Sequence, residues 1–562
     1  MGEALTGEQP PGEAPAAGPA AGEIQTTPRQ GFTRSSAVMA VGTTLSRVTG
    51  FLRLSAMAAA LGVGTVYWRT DAYNVANNTP NIIYELVLGG ILTSVFVPVF
   101  VEWTAKHGRD EAWQVARSVL TIATVVLGAI MVVAIVAAPW IVRLYTLNAH
   151  GPDAVREREL ATFFLRWFMP QIVFYGLGAV VTGLLNAHRR FAVPMFAPIL
   201  NNLIVIATMI LFAVLRHAPH HGVTTAQRYV LAIGTTLGVV AMTVGLWPSL
   251  RRIGFRFRWR LDWTSPAVRR IARLAAWVFL YVAVNQVGLL VVIVLAAGHT
   301  EYTAYISAFT FFQLPHAIFA VSIMTALLPS LSAQWAANDT AAFRGLLARG
   351  LRSTAFIVIP AALGYIVLAQ PIVRLLLQHG ATGAGGADLV AEVLVFFSLG
   401  LFSFSVFQLL LRAFYAMQDT KTPALINVGA VALNTAANLA YFHFLGVRGL
   451  ALGHATAYTF AAVISIVLLR RRLGKLEGRM ILRGLAQVGV AAGATAGAAF
   501  LVSRLMQDVV STATIAGQVL QVACSVGAGL AVFLAVALAL RIEDLALLKG
   551  LLPRSMRRRA SS

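Results

Sequence analysis

The chain reads as an all-α polytopic membrane protein of about fourteen transmembrane helices. Of its 562 residues, 58% are hydrophobic and only 12% charged, against about 25% charged in soluble domains. Apolar stretches long enough to cross a bilayer recur along it. The cations gather in alternate loops, as the positive-inside rule requires. The net charge of +22 therefore reports topology and contact with membrane lipids, and no nucleic-acid partner is expected.

Taken in order, residues 1–35 are rich in Gly, Pro, Ala and Thr and lack an apolar core. They are expected to form a disordered tail. No apolar segment precedes a cleavage site, so they are not a signal peptide. Spans are expected near 36–61, 72–101, 115–142, 160–186, 191–215, 226–249, 270–298, 302–332, 350–373, 389–416, 423–446, 449–470, 481–503 and 514–540. An even count puts both termini on one side. With that side cytoplasmic, 32 Lys/Arg fall inside and 9 outside, while Arg47, Arg53 and Arg166 lie within spans. Arginine outnumbers lysine throughout, which looks like base composition and carries no chemistry at any one site. The single cysteine, Cys524, allows neither an intrachain disulfide nor a cysteine metal site.

An internal repeat organises the spans. The second has Pro80 and Pro98 followed by Glu102-Trp103; the eighth has Pro315 and Pro329 followed by Gln334-Trp335. The period is six helices, an even number, so the halves share one orientation. This predicts a six-helix lobe at 36–255, a second at 256–475, two extra helices at 476–542 and a basic cytoplasmic tail at 543–562. Broken helices at a repeat interface mark transporter sites, and the four prolines are candidate break points.

Arg47 and Arg53 sit in the otherwise apolar first span, and a carboxylate, Asp71, follows. A charge at bilayer depth costs roughly 2.5–3.5 kcal/mol on insertion scales, so such residues face a cavity or a partner. Six residues separate the arginines by about 9 Å along a helix. Long side chains bordering one cavity can still converge on one anionic group. Asn81 and Glu85 extend the candidate set along the second span. Arg190, in a tight turn before Pro194, and Asp419 and Lys421, before Pro423, occupy equivalent places one period apart. They read either as positive-inside hairpins or as a gate where the halves meet.

Other polar groups read more plainly. His217, His220 and His221 share a loop with no acid or cysteine nearby, which suits a solvated loop better than a metal site. Asn427, Asn434 and Asn438 fall roughly on one helix face, for helix–helix bonding or for a cation. No P-loop, nucleophile elbow or HExxH motif is present. Neither an enzyme nor an ATP-driven pump is expected, and no cofactor, catalytic residue or metal site is assigned.

From Ser46-Arg47-Val48, Gly50-Phe51 and Arg53 through Thr70-Asp71-Ala72, Pro80-Asn81 and Phe96-Val97-Pro98, the sequence resembles the MurJ (MviN) lipid II flippases. These belong to the multidrug/oligosaccharidyl-lipid/polysaccharide exporter superfamily. Asn186, Arg190-Phe191, Pro194, Phe196-Ala197-Pro198, Leu328-Pro329-Ser330-Leu331-Ser332, Phe414-Tyr415, Gln418-Asp419 and Lys421-Thr422-Pro423 match too, so the resemblance covers roughly 36–540. It implies two lobes plus a final helix pair forming a groove for the lipid tail, in a bacterial plasma membrane protein with both termini cytoplasmic. It also implies export of lipid II, a disaccharide-pentapeptide on a polyprenyl pyrophosphate, by alternating access. Arg47 and Arg53 would then hold the pyrophosphate, and Asp71 would pair with an arginine or with the headgroup. Membrane lipids and cell-wall synthesis proteins are the further partners it suggests.

The pattern is similar to the actinobacterial branch and departs from many relatives. Tyr84-Glu85 replaces an Arg-Arg pair, Leu88-Gly89-Gly90 an Ala-Glu-Gly step, and Thr310 a cavity arginine; Leu54 stands where an acid follows the second arginine. No acid lies between Asp262 and Glu301 to match the sodium-binding acid of some relatives. Rival readings are export of another polyprenyl-linked oligosaccharide or of drugs, a membrane glycosyltransferase, and a non-transporting cell-wall scaffold.

Overall fold

The computed structural model describes residues 29–63, 68–88, 96–147, 149, 152–188, 190, 192–215, 223–297, 301–474, 477–512 and 514–545. Among them there is no strand. The N-terminal half comprises α1 (Arg29–Leu61), α2 (Trp68–Leu88), α3 (Val97–His107), α4 (Arg109–Tyr145), α5 (Pro152–Phe168), α6 (Gln171–Ala187), α7 (Ala192–Val214), α8 (Thr225–Val244) and the short α9 (Trp247–Arg252). The C-terminal half comprises α10 (Pro266–Ala297), α11 (Tyr302–Pro315), a π-helical turn at His316–Ala320, α12 (Val321–Ala336), α13 (Thr340–Leu377), α14 (Ala384–Ser398), α15 (Leu401–Ala416), α16 (Lys421–Leu445) and α17 (Val447–Leu473). A last pair, α18 (Gly478–Val509) and α19 (Ile515–Ala539), packs on α13.

Element lengths repeat between the halves. Helices α1 and α10 have 33 and 32 residues, and α4 and α13 have 37 and 38. Breaks repeat as well: α5 gives way to α6 near Pro170, and α14 bends by 49° into α15 near Gly400. Within the N-terminal half α1 packs on α7 and α7 on α8; within the C-terminal half α16 packs on α17 and α13 on α14. The halves meet where α2 touches α10 and α11, and where the end of α1 touches the α13–α14 connection.

The solvent of the outer surface is apolar. Val133, Val136 and Trp140 on α4, Ile210 and Val214 on α7, Leu439 and Phe444 on α16, and Leu530 and Leu538 on α19 are all exposed. An aqueous surface would not carry so many large apolar side chains on so many helices. Among the described residues, ten helices are long and apolar enough to span a membrane, or eleven with the bent α14–α15 pair as one span. Those of the fourteen expected spans that miss this count fall on α1, α2–α3 and α10. Helix α2 alone carries Asp71, Asn74, Asn77, Asn78, Asn81 and Glu85. A helix that faces a polar interior lacks the apolarity by which spans are recognised, and among the described residues this applies to α2.

Helix α1 begins at Arg29, inside the segment 1–35 expected to be an unstructured tail; residues 1–28 and 546–562 lie outside the described residues. The expected basic tail from residue 543 opens with Glu543 and Asp544, both ion-paired to Arg352 of α13. The loop with His217, His220 and His221 also lies outside the described residues, as do Gly89 and Gly90. Pro98 falls in α3, and residues 91–95 before it lie outside the described residues.

Candidate functional site

Pro315 shows how the break in the eighth expected span is built. Its missing N–H strands the carbonyl of Phe311, four residues earlier. Tyr365 of α13 donates its hydroxyl to that oxygen at 3.0 Å. The helix then opens into the π turn His316–Ala320 before continuing as α12 with Pro329 in its interior. Pro80 lies inside α2 and is buried.

Between the halves lies a cavity of about 800 Å³. Helix α1 contributes Ser46, Arg47, Gly50, Phe51 and Arg53, and α2 contributes Asn74, Asn77, Asn78 and Asn81. The opposite wall is largely aromatic, with Tyr302, Tyr305 and Phe309 from α11 and His454 and Tyr458 from α17. Among the described residues no acid lines the cavity, and neither Arg47 nor Arg53 has an ion pair with one of them. Asn202 of α7 seats α1 in place, donating to Thr49 Oγ1 at 3.1 Å and to the Ser46 carbonyl at 3.3 Å. That anchor sits between the two arginines and sets which way α1 is turned.

Asp71 is elsewhere. It is 1% exposed and does not line the cavity. Its carboxylate crosses to the other half and caps the start of α11. It accepts from the Tyr302 N–H at 2.9 Å, from the Thr303 N–H at 2.8 Å and from the Thr303 hydroxyl. The first N–H groups of a helix have no partner within it, so a carboxylate there satisfies both the donors and the helix dipole. One and two turns further along α2, Asn74 donates to Thr303 Oγ1 at 2.9 Å and Asn78 to the Tyr302 hydroxyl at 2.8 Å. A second contact closes the same end: Ala381 N–H and Thr382 Oγ1 donate to the carbonyls of Ala59 and Ala58, both at 2.7 Å. Gly386 permits this approach, because a Cβ there would overlap the Val63 carbonyl oxygen.

The remaining candidates separate. Asn81 lines the cavity, while Glu85 is exposed and lies outside it. The two equivalent turns do not meet. Arg190 faces a recess with Arg109 and Arg252 of its own half. Asp419 accepts from the Thr422 N–H at 2.9 Å and pairs with Arg472 at 2.5 Å, also in its own half. Burial alone would raise the Asp419 pKa, but the hydrogen bonds from Thr422 and Arg472 outweigh it and hold the carboxyl below its ordinary value. Lys421 opens α16 and is exposed. Of the three asparagines on α16, Asn434 lines the cavity, whereas Asn438 packs against Gly453 of α17.

Sequence reasoning missed Asn74, Asn78, Asn202 and His454. The α2 pair carried a signal, since Asn74, Asn78 and Asn81 recur at the i, i+4, i+7 spacing of one helix face.

Comparison with known proteins agrees with this geometry. The family description "Lipid II flippase MurJ" matches residues 57–519. A probable lipid II flippase MurJ of Vibrio cholerae is 30% identical over 531 residues, covering 91% of this chain and 97% of that protein. One from Rhizobium meliloti is 28% identical over 525 residues, covering 93% and 96%. A solved lipid II flippase MurJ in an inward closed conformation superposes with a TM-score of 0.72 at 21% identity, over 91% of this chain and 100% of that one. An inward-facing multidrug resistance MATE transporter of the MOP superfamily follows the same fold more loosely, with a TM-score of 0.61 at 14% identity, over 76% and 95%.

Proposed function

The chain belongs to the lipid II flippase MurJ family, and from that membership we infer how its cavity handles the substrate. It is a membrane transporter, not an enzyme, and its cargo is lipid II. The pyrophosphate is the charged part of that cargo. Arg47 and Arg53 are the cations of a cavity lined by no acid, and this observation carries the assignment. Guanidinium groups bind phosphoryl oxygens through paired, charge-assisted hydrogen bonds. The asparagines of α2, Asn81 among them, supply further donors, and the aromatic wall of Tyr305, Phe309 and Tyr458 suits the faces of sugar rings.

Asp71 belongs to the gate. Its bonds to α11 tie the halves together at one end of the cavity, and the Ala58–Thr382 contact ties them again. With α1, α2–α3 and α10 added to the apolar spans, fourteen helices cross the membrane as two six-helix lobes and a final pair. The 32-to-9 partition of Lys/Arg over the expected spans supports both termini in the cytoplasm and the Asp71 clamp on the outside. Lipid II enters from the inner leaflet while the clamp is shut and leaves when it opens. Pro80, inside the continuous α2, and the break after Pro315 are the places where α2 and α11–α12 bend.

Depletion of the protein should make lipid II accumulate on the cytoplasmic leaflet. Accumulation of a different lipid-linked precursor would remove the substrate assignment. Arg47→Ala and Arg53→Ala should each insert normally, bind lipid II at least tenfold more weakly and fail to complement, with Arg→Lys restoring part of the activity. Unchanged lipid II binding in both alanine variants would remove the anion-clamp role.

A further inference from the structure

We propose that a second phosphate-binding site lies in the recess formed by Arg109, His188, Arg190 and Arg252, outside the central cavity. The recess is about 310 Å³ and is completed by Ile253 and Gly254. Its basic groups come from three separate elements: the start of α4, the turn after α6 and the end of α9. Among the described residues no acid lines it. Asp110 and Glu111 follow Arg109 in sequence but are exposed and do not contribute to it. Cations brought together without an acid repel one another, and an anion relieves that cost.

Two of the groups are held before any ligand arrives. Arg109 donates to the Ile253 carbonyl at 2.5 Å, and its guanidinium carbon stands 5.6 Å from the centre of the Trp113 ring. His188 stacks on the same indole, with ring centres 5.1 Å apart and planes 2° from parallel. Its Nδ1 lies 2.8 Å from the Leu184 carbonyl. A carbonyl only accepts, so that nitrogen carries the proton, and Nε2 is the nitrogen left for a ligand. Gly254 turns the chain at φ +89°, and a Cβ there would come within 3.3 Å of an Arg109 nitrogen. The glycine thus keeps the recess open. Arg190 and Arg252 have no side-chain partner among the described residues and are free to close on a ligand from the exposed side.

The ligand chemistry is a phosphate ester, which arginine forks match. Anionic phospholipid headgroups and polyprenyl pyrophosphates both present it. The place fits either source, because Arg190 lies only four residues before Pro194, which lines the central cavity. The recess and the cavity wall thus share the segment that runs from Arg190 into α7. The inference does not depend on what the cavity transports.

The test uses the full-length protein in neutral detergent, with inorganic pyrophosphate titrated by calorimetry. Arg47→Gln/Arg53→Gln removes the central cations, and in that background one saturable, salt-sensitive site should remain. Adding Arg190→Gln/Arg252→Gln should weaken it at least tenfold, with the melting temperature and elution volume of the parent confirming that the chain is folded. No saturable binding in the Arg47→Gln/Arg53→Gln protein overturns the proposal, as does unchanged affinity after Arg190→Gln/Arg252→Gln. Repeating the titration in nanodiscs identifies the source. Loss of pyrophosphate binding in phosphatidylglycerol discs but not in phosphatidylcholine discs supports a lipid headgroup. Equal binding in both supports a soluble or substrate phosphate in the same recess.

Discussion

Removing the Asp71 carboxylate should open the cavity at the end where α2 meets α11. In Asp71→Ala, three hydrogen bonds to a carboxylate disappear, and the N–H groups of Tyr302 and Thr303 lose their partners. Each bond to a charged group contributes about 1.5–3 kcal/mol. Burying the carboxylate offsets much of that sum, and the capping series puts the loss of one N-cap at roughly 0.5–2 kcal/mol. A net shift of about 2 kcal/mol towards the open state follows, which is roughly 30-fold in population at 1.4 kcal/mol per decade. The assay is the labelling rate of Thr310→Cys, a cavity-lining position, in a Cys524→Ala background, by a membrane-impermeant thiol reagent added outside. The rate should rise on the order of 30-fold by the same estimate. Asp71→Asn should fall between, because an amide oxygen still caps. An alanine variant labelled within twofold of its parent, without substrate, would refute the clamp. It would return Asp71 to the role of a substrate ligand, whose loss leaves the empty protein unchanged.

Gly386→Ala should act on the second contact at the same end, because its Cβ overlaps the Val63 carbonyl; it should raise Thr310→Cys labelling from outside, and an unchanged rate would mean that the α1–α14 approach is not part of the closure. Asp419 is held below its ordinary value, so its bonds to Thr422 and Arg472 stabilise the fold above the unfolded carboxyl pKa and are lost as pH falls through the folded one. Asp419→Asn should therefore lower the melting temperature at pH 7, and the deficit should shrink as the pH is taken down through the acid range below the ordinary carboxyl value; a deficit that stays constant down to acid unfolding would show that the effect is not electrostatic. Flipping should also respond to membrane potential, since moving two pyrophosphate charges outward across 100 mV releases at most about 4.6 kcal/mol, less whatever the arginines carry with them. Full-rate flipping with the potential collapsed and ion gradients intact would exclude that driving force.

The helices that pass as spans were readable from hydropathy because they face lipid. The hidden part is the geometry between halves. Arg47 and Arg53 stood out since a charge in an apolar helix has few uses, and both do border the cavity. Asp71 also stood out, but spacing alone could not say that its oxygens reach residues more than two hundred positions away. An acid near two arginines invites pairing with them, whereas the free N–H groups of a helix start compete for the same carboxylate. The turns at Asp419 and Arg190 were readable either as hairpins or as a gate; Asp419 pairs within its own half, and Arg190 faces a recess of its own half. A repeat makes two turns equivalent without bringing them together.

Asparagine was the residue type whose reading depended most on context. Asn438 and Asn434 lie on the same helix and match the same pattern, but one meets a glycine of α17 and the other the cavity. Asn74 and Asn78 spend their amides on Thr303 and Tyr302, so they serve the clamp when it is shut. When the halves part, those donors and the Asp71 oxygens lose their partners together, at one end of the cavity holding the arginines. An unpaired amide or carboxylate is costly in hydrocarbon and cheap in water. The clamp can therefore open only to an aqueous face, where a released sugar-peptide headgroup is also solvated. Polar contacts that hold the closed state thus stabilise water entry in the open one, which accounts for the polarity of α2 along its length.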